Sequence, residues 1–166
     1  MIDIVHGDVK PQNVLLFDGE PNVKRYTTSG TAKLTDFGYS CFGAQDSDIV
    51  SLPYSDIWSA PEYHDRGFEL RAAKKADVFS FGLTAVYLLF YWEVWDRLIS
   101  PTVLKMRSYI KDGSMLRRVQ KAIGEYYDND LQGASLFQFF SITLAHEAGA
   151  RETNMESLIQ LLRQAR

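Results

Sequence analysis

Apolar side chains run without a charge from Val78 to Trp92, "VFSFGLTAVYLLFYW", between Asp77 and Glu93. A stretch that is apolar on every side predicts a helix enclosed by other elements, placed here over Lys74 to Trp92. Its fifteen uncharged residues fall short of the ~20 that a membrane span requires. Downstream, helical spacing of apolar positions predicts an amphipathic helix over Thr102 to Ile123, a third helix over Ala134 to Glu147 and a last one from Asn154 to Gln164. In the last, Met155, Leu158, Ile159 and Leu162 share a face, and Asn154 is placed to cap the N-terminus. Upstream, Asn13 to Phe17 and Ala32 to Phe37 are short runs rich in Val, Leu and Phe between turn residues, which predicts two strands. The intervening "DGEPNVKRYTTSGT" carries Gly, Pro, Asn and Ser and predicts a long hairpin connection with an exposed tip. Gly38 to Arg71 keeps neither period and reads as one long loop of the kind that carries function.

Composition narrows the classes. The 166 residues suit one ordinary domain with a sizeable core, and a net charge of -3 gives no support for a nucleic-acid or anionic-membrane surface. The single cysteine, Cys41, cannot close an internal disulfide, and no Cys/His metal spacing occurs, so a reducing, intracellular setting (cytoplasmic or nuclear) is expected. Met1 to Gly19 carries Asp3, His6, Asp8 and Lys10 and has no apolar core of a secretory signal.

The chemistry is concentrated in "VHGDVKPQN", residues 5 to 13, where Asp8, Lys10 and Asn13 sit between apolar flanks. One acid, one cation and one amide held between buried anchors suit a loop aimed at something charged. "DFG" follows at Asp36 to Gly38, "APE" at Ala60 to Glu62 and "DVFSFG" at Asp77 to Gly82. Singly, each has a plainer reading: Asp8 and Asn13 as turn residues, Lys10 as a solvated cation, Asp36 as the acid of an Asx turn. Together, in this order, they resemble the C-terminal lobe of a eukaryotic-type protein kinase. The resemblance implies a mainly α fold, a protein-kinase-like C-terminal lobe with a small β-hairpin. It divides residues 1 to 166 into a catalytic loop (6 to 13), an activation segment (36 to 62) and a helical subdomain (72 to 165).

The same resemblance implies roles. Asp8 would be the catalytic base toward an acceptor hydroxyl, and Lys10 a fixed cation on the γ-phosphate of ATP. Asn13 and Asp36 would ligate Mg2+, and Leu15 would floor the adenine. His6 would be structural, packed under the DFG turn. Asp77 would hold the catalytic loop through backbone N–H groups, and Ser55 would stand where such kinases tie the substrate-binding loop to the base. Glu62 and Arg151 would form a buried ion pair, against the alternative of a surface pair of little consequence. A protein substrate follows from the Lys10-Pro11 pair and the APE segment, with neither nucleic acid nor membrane as partner.

Two departures matter. Position 7 is glycine where most protein kinases have arginine, and "HGD" occurs in small-molecule phosphotransferases, which generally lack the APE segment. Without that arginine no phosphate is needed to order the activation segment, so alanine at Ser40, Ser47, Ser51 and Ser59 together is expected to leave kcat of an intact kinase within about tenfold. These 166 residues also contain no Gly-rich phosphate loop with its strand lysine and helix glutamate. The expectation is therefore a serine/threonine kinase fragment without its N-terminal lobe, inactive alone. A pseudokinase-like interaction module is the alternative, and a small-molecule phosphotransferase a more distant one.

Overall fold

A computed structural model describes residues 4–17, 31–42, 45–64, 66–90, 103–127 and 131–165. Helices dominate, and three two-stranded antiparallel sheets lie at their edge. The strands are β1 (Ile4–Val5), β2 (Val14–Phe17), β3 (Thr31–Leu34), β4 (Cys41–Phe42), β5 (Ile49–Val50) and β6 (Phe68–Glu69). β1 pairs with β4, β2 with β3, and β5 with β6. The helices are α1 (Leu70–Leu89), α2 (Val103–Lys111), α3 (Met115–Tyr126), α4 (Leu131–Thr143) and α5 (Met155–Gln164).

α1 is the axis of the core. Phe79, Leu83 and Val86 are buried on it, against Leu136, Phe139 and Phe140 of α4, with Met106, Ile110, Met115, Val119 and Leu158 completing the cluster. Burying side chains of this size stabilises by roughly 1.5–3 kcal/mol each relative to exposure. The tightest crossing is at Gly82, where a Cβ would come within 2.6 Å of Thr143 Oγ1 and 2.8 Å of Thr143 Cβ. Only a residue without a side chain allows α1 and α4 this approach.

Several expectations are corrected. α1 begins at Leu70, four residues ahead of Lys74. Leu70 and Ala73 are buried in a second cluster with Val5 and Phe68, while Arg71 and Lys74 turn outward to Glu69 and Asp46. The charges that hid this first turn thus lie on its outer side. The far end of α1 is not enclosed, since Leu88 and Leu89 are exposed; Tyr91 and Trp92 lie outside the described residues. No helix among the described residues is long and apolar enough to cross a membrane.

The single helix expected over 102 to 123 is two. Gly113 has φ +73°, a conformation that costs other residues strain, and Asp112 Oδ1 accepts the N–H of Ser114 at 2.8 Å, so the chain turns between α2 and α3. α4 is displaced toward the N-terminus of its predicted span, ending at Thr143 instead of Glu147. The second strand is Thr31–Leu34 and stops short of Phe37, because Asp36 takes a left-handed conformation (φ 62°, ψ 66°) and Phe37–Tyr39 form a 3-10 turn. Gly38 to Arg71 is more ordered than its lack of period suggested, since it contributes β4, β5 and β6. The hairpin connection, residues 18 to 30, lies outside the described residues. At α5 the cap is as read: Asn154 Oδ1 accepts from the N–H groups of Glu156 and Ser157 at 3.0 and 3.3 Å.

Candidate active site

The site forms where the loop after β1 meets both α1 and the 36–62 segment. Gly7 has φ +83°, and a Cβ there would sit 3.0 Å from the Tyr39 carbonyl oxygen. The turn therefore requires glycine twice over, by conformation and by space. Asp77, on α1, receives the two N–H groups of this turn, with Oδ2 2.6 Å from His6 N and Oδ1 3.0 Å from Gly7 N. Enclosure pushes the Asp77 carboxyl up to about 6, against the pull of those two donors.

His6 is buried and bonded at both ring nitrogens. Nδ1 accepts the Asp8 N–H at 3.3 Å, which leaves Nε2 to donate to the Thr35 carbonyl at 2.9 Å. Its ring centroid lies 4.9 Å from that of Phe37. His6 thus ties the turn that holds Asp8 to the DFG turn, with both ring nitrogens bonded.

Asp8 is buried and collects three side-chain donors. Ser55 Oγ donates to Oδ1, Lys10 Nζ lies 2.6 Å from Oδ2, and Asn13 Nδ2 lies 3.1 Å from the same oxygen. Burial pushes the carboxyl up, but the bonds from Lys10, Ser55 and Asn13 outweigh it, and the net position is below the ordinary carboxylate range. The group is a fixed anion, held by a cation and two neutral donors. Pro11 opens the 3-10 turn Pro11–Asn13 and keeps Lys10 extended, which sends Lys10 and Asn13 back onto the same carboxylate.

Asn13 is committed through nitrogen, since Nδ2 also donates to the Asp8 carbonyl at 2.9 Å. Its amide oxygen is the end left for an incoming electrophile. The Thr35 N–H bonds the Asn13 carbonyl at 2.9 Å, which places Asp36, the next residue, beside it. Asp36 is exposed and left-handed, a conformation that costs a non-glycine residue roughly 1–3 kcal/mol and is characteristic of functional positions. Leu15 is on β2 opposite Lys33, with 46% of its surface exposed, and Phe17, two residues on and so on the same face, is exposed as well.

Glu62 and Arg151 meet across the molecule. The guanidinium bonds Glu62 in fork fashion, Nη1 to Oε1 at 2.6 Å and Nη2 to Oε2 at 2.8 Å. Its remaining donors reach the carbonyls of Ala145 (2.8 Å), Lys75 (3.2 Å) and His146 (2.9 Å), so all five N–H groups are bonded. The Arg151 side chain is fully buried, and that of Glu62 is 27% exposed.

The structure therefore gathers His6, Asp8, Lys10, Asn13, Ser55 and Asp77 into one bonded cluster, with Asp36 at its edge and Glu62–Arg151 as a separate brace. Sequence reading missed Thr35, which touches both His6 and Asn13 by backbone, and no side-chain signal marks such a role. It also missed that Ser40 Oγ donates to the His6 carbonyl at 3.0 Å and that Ser59 Oγ accepts the Ser55 N–H at 3.0 Å. Alanine at all four serines would therefore disturb the site itself; only Ser47 and Ser51, both exposed, isolate the question of phosphate.

A recess of ≈ 20 Å³ beside Asp8, lined by Leu52, Pro53, Ser55 and Tyr63, holds no more than a water, so an acceptor would lie across this surface and not within it.

Comparison with known proteins agrees with this geometry. A family profile described as protein kinase domain matches residues 2–161. A serine/threonine-protein kinase of Schizosaccharomyces pombe is 27% identical over 110 residues, covering 60% of this chain and 29% of its own. Two from Arabidopsis thaliana are also similar. One serine/threonine-protein kinase is 31% identical over 83 residues (49% of this chain, 18% of the relative). A leucine-rich-repeat receptor-like serine/threonine-protein kinase is 36% identical over 101 residues (60% and 8%). The chain spans less than a third of the length of each of these relatives.

Proposed function

The chain belongs to the protein kinase domain family, and from that premise we propose that it serves the transfer of the γ-phosphoryl group of ATP to a serine or threonine hydroxyl of a protein. The observation that carries the reading is the Asp8 carboxylate, buried, anionic and aimed by Lys10, Ser55 and Asn13. In phosphoryl transfer the protein mostly positions reactants and neutralises charge. Asp8 would orient the acceptor hydroxyl and take its proton. Lys10, 25% exposed at its side chain, would be shared between Asp8 and the transferring phosphoryl group. Ser55 and Asp77 would act as positioning residues, one on the Asp8 carboxylate and the other on the backbone that carries it.

The donor set suits Mg2+. Asp36 offers a carboxylate and Asn13 an amide oxygen, both hard donors, and no group of three or more His, Cys, Asp or Glu able to hold a metal occurs among the described residues. Mg2+ at one or two protein oxygens, with phosphates and water as its other ligands, matches so sparse a set. When bound, the ion would neutralise phosphate charge; Leu15, half exposed on β2, would lie under the base of the nucleotide.

These 166 residues supply a base, a cation and metal ligands but no Gly-rich phosphate loop, the feature on which the reading as a C-terminal lobe rests. Alone the chain is expected to turn over below ~0.1 s⁻¹, against ~1–100 s⁻¹ for whole enzymes of this class. Transfer is therefore measured with the chain alone and with a kinase N-terminal lobe fused upstream, each beside its Asp8→Asn variant. Mg-ATP-dependent labelling of a protein acceptor by the fusion, lost in Asp8→Asn, is the expected result. A folded fusion that binds Mg-ATP and transfers nothing would overturn it and favour the interaction module, for which the exposed Leu15 and Phe17 share one face of β2.

A further inference from the structure

Arg107, on α2, reaches across to the segment that holds Asp8. Its Nη1 donates to the Asp56 carbonyl at 2.5 Å, and its guanidinium carbon lies 4.4 Å from the centre of the Tyr54 ring. Tyr54 immediately precedes Ser55, whose hydroxyl bonds Asp8. The stack and the bonds to Asp56 fix the plane of the guanidinium but engage only one of its nitrogens. Nε and Nη2 have no acceptor among the described residues, and the side chain is 24% exposed, which leaves a forked pair of donors open to an incoming group.

The neighbouring charges give this fork its preference. Lys111, one turn along α2, donates to the Pro61 carbonyl at 2.8 Å, so two cations flank the stretch from Tyr54 to Pro61. Residues 103 to 127 hold six Lys and Arg against two Asp and Glu in a chain of net charge -3. The opposing carboxylates are accounted for. Asp56 Oδ1 pairs at 3.5 Å with Nη1, the same nitrogen that its carbonyl already engages, and Glu62 is occupied by Arg151. A guanidinium whose Nε and Nη2 are both open recognises carboxylate best, and in bidentate fashion.

The geometry points to Arg107 as a specificity residue that selects acceptor polypeptides with an acidic side chain close to the accepting hydroxyl. This rests on the function proposed above. A polypeptide is favoured over nucleic acid because the cationic surface is short, adjoins the segment whose Ser55 bonds Asp8, and belongs to a chain that is acidic as a whole.

The test separates binding from transfer. Fluorescence anisotropy with the 166-residue chain compares three serine peptides, with Asp, Ala or Lys beside the serine, and a single-stranded oligonucleotide. The Asp peptide is expected to bind about tenfold tighter than the Ala peptide, a difference of ~1.4 kcal/mol, and to weaken with added salt. Arg107→Ala should reduce the Asp peptide to the affinity of the Ala peptide, Arg107→Glu should reverse the order in favour of Lys, and Arg107→Lys should restore part of the preference. Arg163→Glu, exposed on α5, serves as the charge control, with circular dichroism to confirm that each variant is folded. Equal affinity for all peptides, an unchanged order in folded Arg107→Glu, or tighter binding of the oligonucleotide would overturn the proposal. Selective binding by the chain without transfer by the fusion would refute the kinase reading and leave the acidic docking intact; transfer without selectivity would do the reverse.

Discussion

Asp8, in the turn, and Asp77, on α1, are two carboxylates with opposite pH behaviour, because one is surrounded by side-chain donors and the other is enclosed with only backbone N–H groups. Asp77 lies at about 6 in the folded chain against 3.8 for a free side chain. The folded state therefore holds a proton that the unfolded state has lost over this interval. Its contribution to stability is full below pH 4 and declines as pH rises through about 6, by at most ~3 kcal/mol. Asp8 runs the other way: its contribution is present above the free carboxylate range and is lost as pH falls through its depressed folded value. Urea denaturation of the chain and of Asp77→Asn between pH 4 and 7 separates the two. The variant is expected to lack the downward slope; parallel curves would show that Asp77 ionises normally. Other residues here were legible in sequence only as types. "HGDVKPQN" announced an acid, a cation and an amide, but which oxygen of Asp8 each donor takes depends on Ser55, 47 residues away.

At the scale of elements, the helical periods were readable wherever an apolar face is continuous, and failed where a backbone device intervenes. α2 and α3 share one amphipathic pattern, and the break between them is made by Gly113 and the Asp112 side chain, neither of which interrupts the apolar spacing. The two-residue strands β1, β4, β5 and β6 are too short to show alternation, and each exists because its partner arrives from elsewhere in the chain. Gly82 makes the same point within α1. In sequence it is a mild weakness in a helix, yet a methyl group there would enter Thr143. Gly82→Ala is expected to destabilise by ~1–3 kcal/mol through overpacking, although alanine is the better helix former. Chemical denaturation checks the sign: a neutral or stabilising result would mean that α1 and α4 separate at little cost.

Across the whole molecule, the Glu62–Arg151 pair joins the end of the 36–62 segment to the approach of α5, 89 residues apart. All five guanidinium donors are bonded and the side chain is fully buried beside Phe79, with 4.8 Å from the guanidinium carbon to the ring centre. Glu62→Ala strands this cation. Loss of one partner of a buried pair costs ~3–5 kcal/mol, and the partial exposure of Glu62 places the expected value near ~3. Thermal or chemical unfolding measures it, and a loss under ~1 kcal/mol would reduce the pair to a surface contact. Glu62→Gln, which keeps the shape and one acceptor, is expected to lose less.

What the sequence determined by itself was the order of polar motifs and the apolar faces of the helices, because both are local: a spacing of residues needs no partner to be read. That was enough to place the loop of Asp8, the DFG turn, the APE segment and the buried middle of α1. Only the tertiary structure decided which groups meet. It put Ser55 on Asp8, gave both ring nitrogens of His6 to backbone partners, closed the five bonds of Arg151, and stacked Arg107 on Tyr54. The physical reason is range. Hydrogen bonds and ion pairs act within about 3–4 Å, and segments far apart in the chain reach that distance only after α1 and α4 have packed.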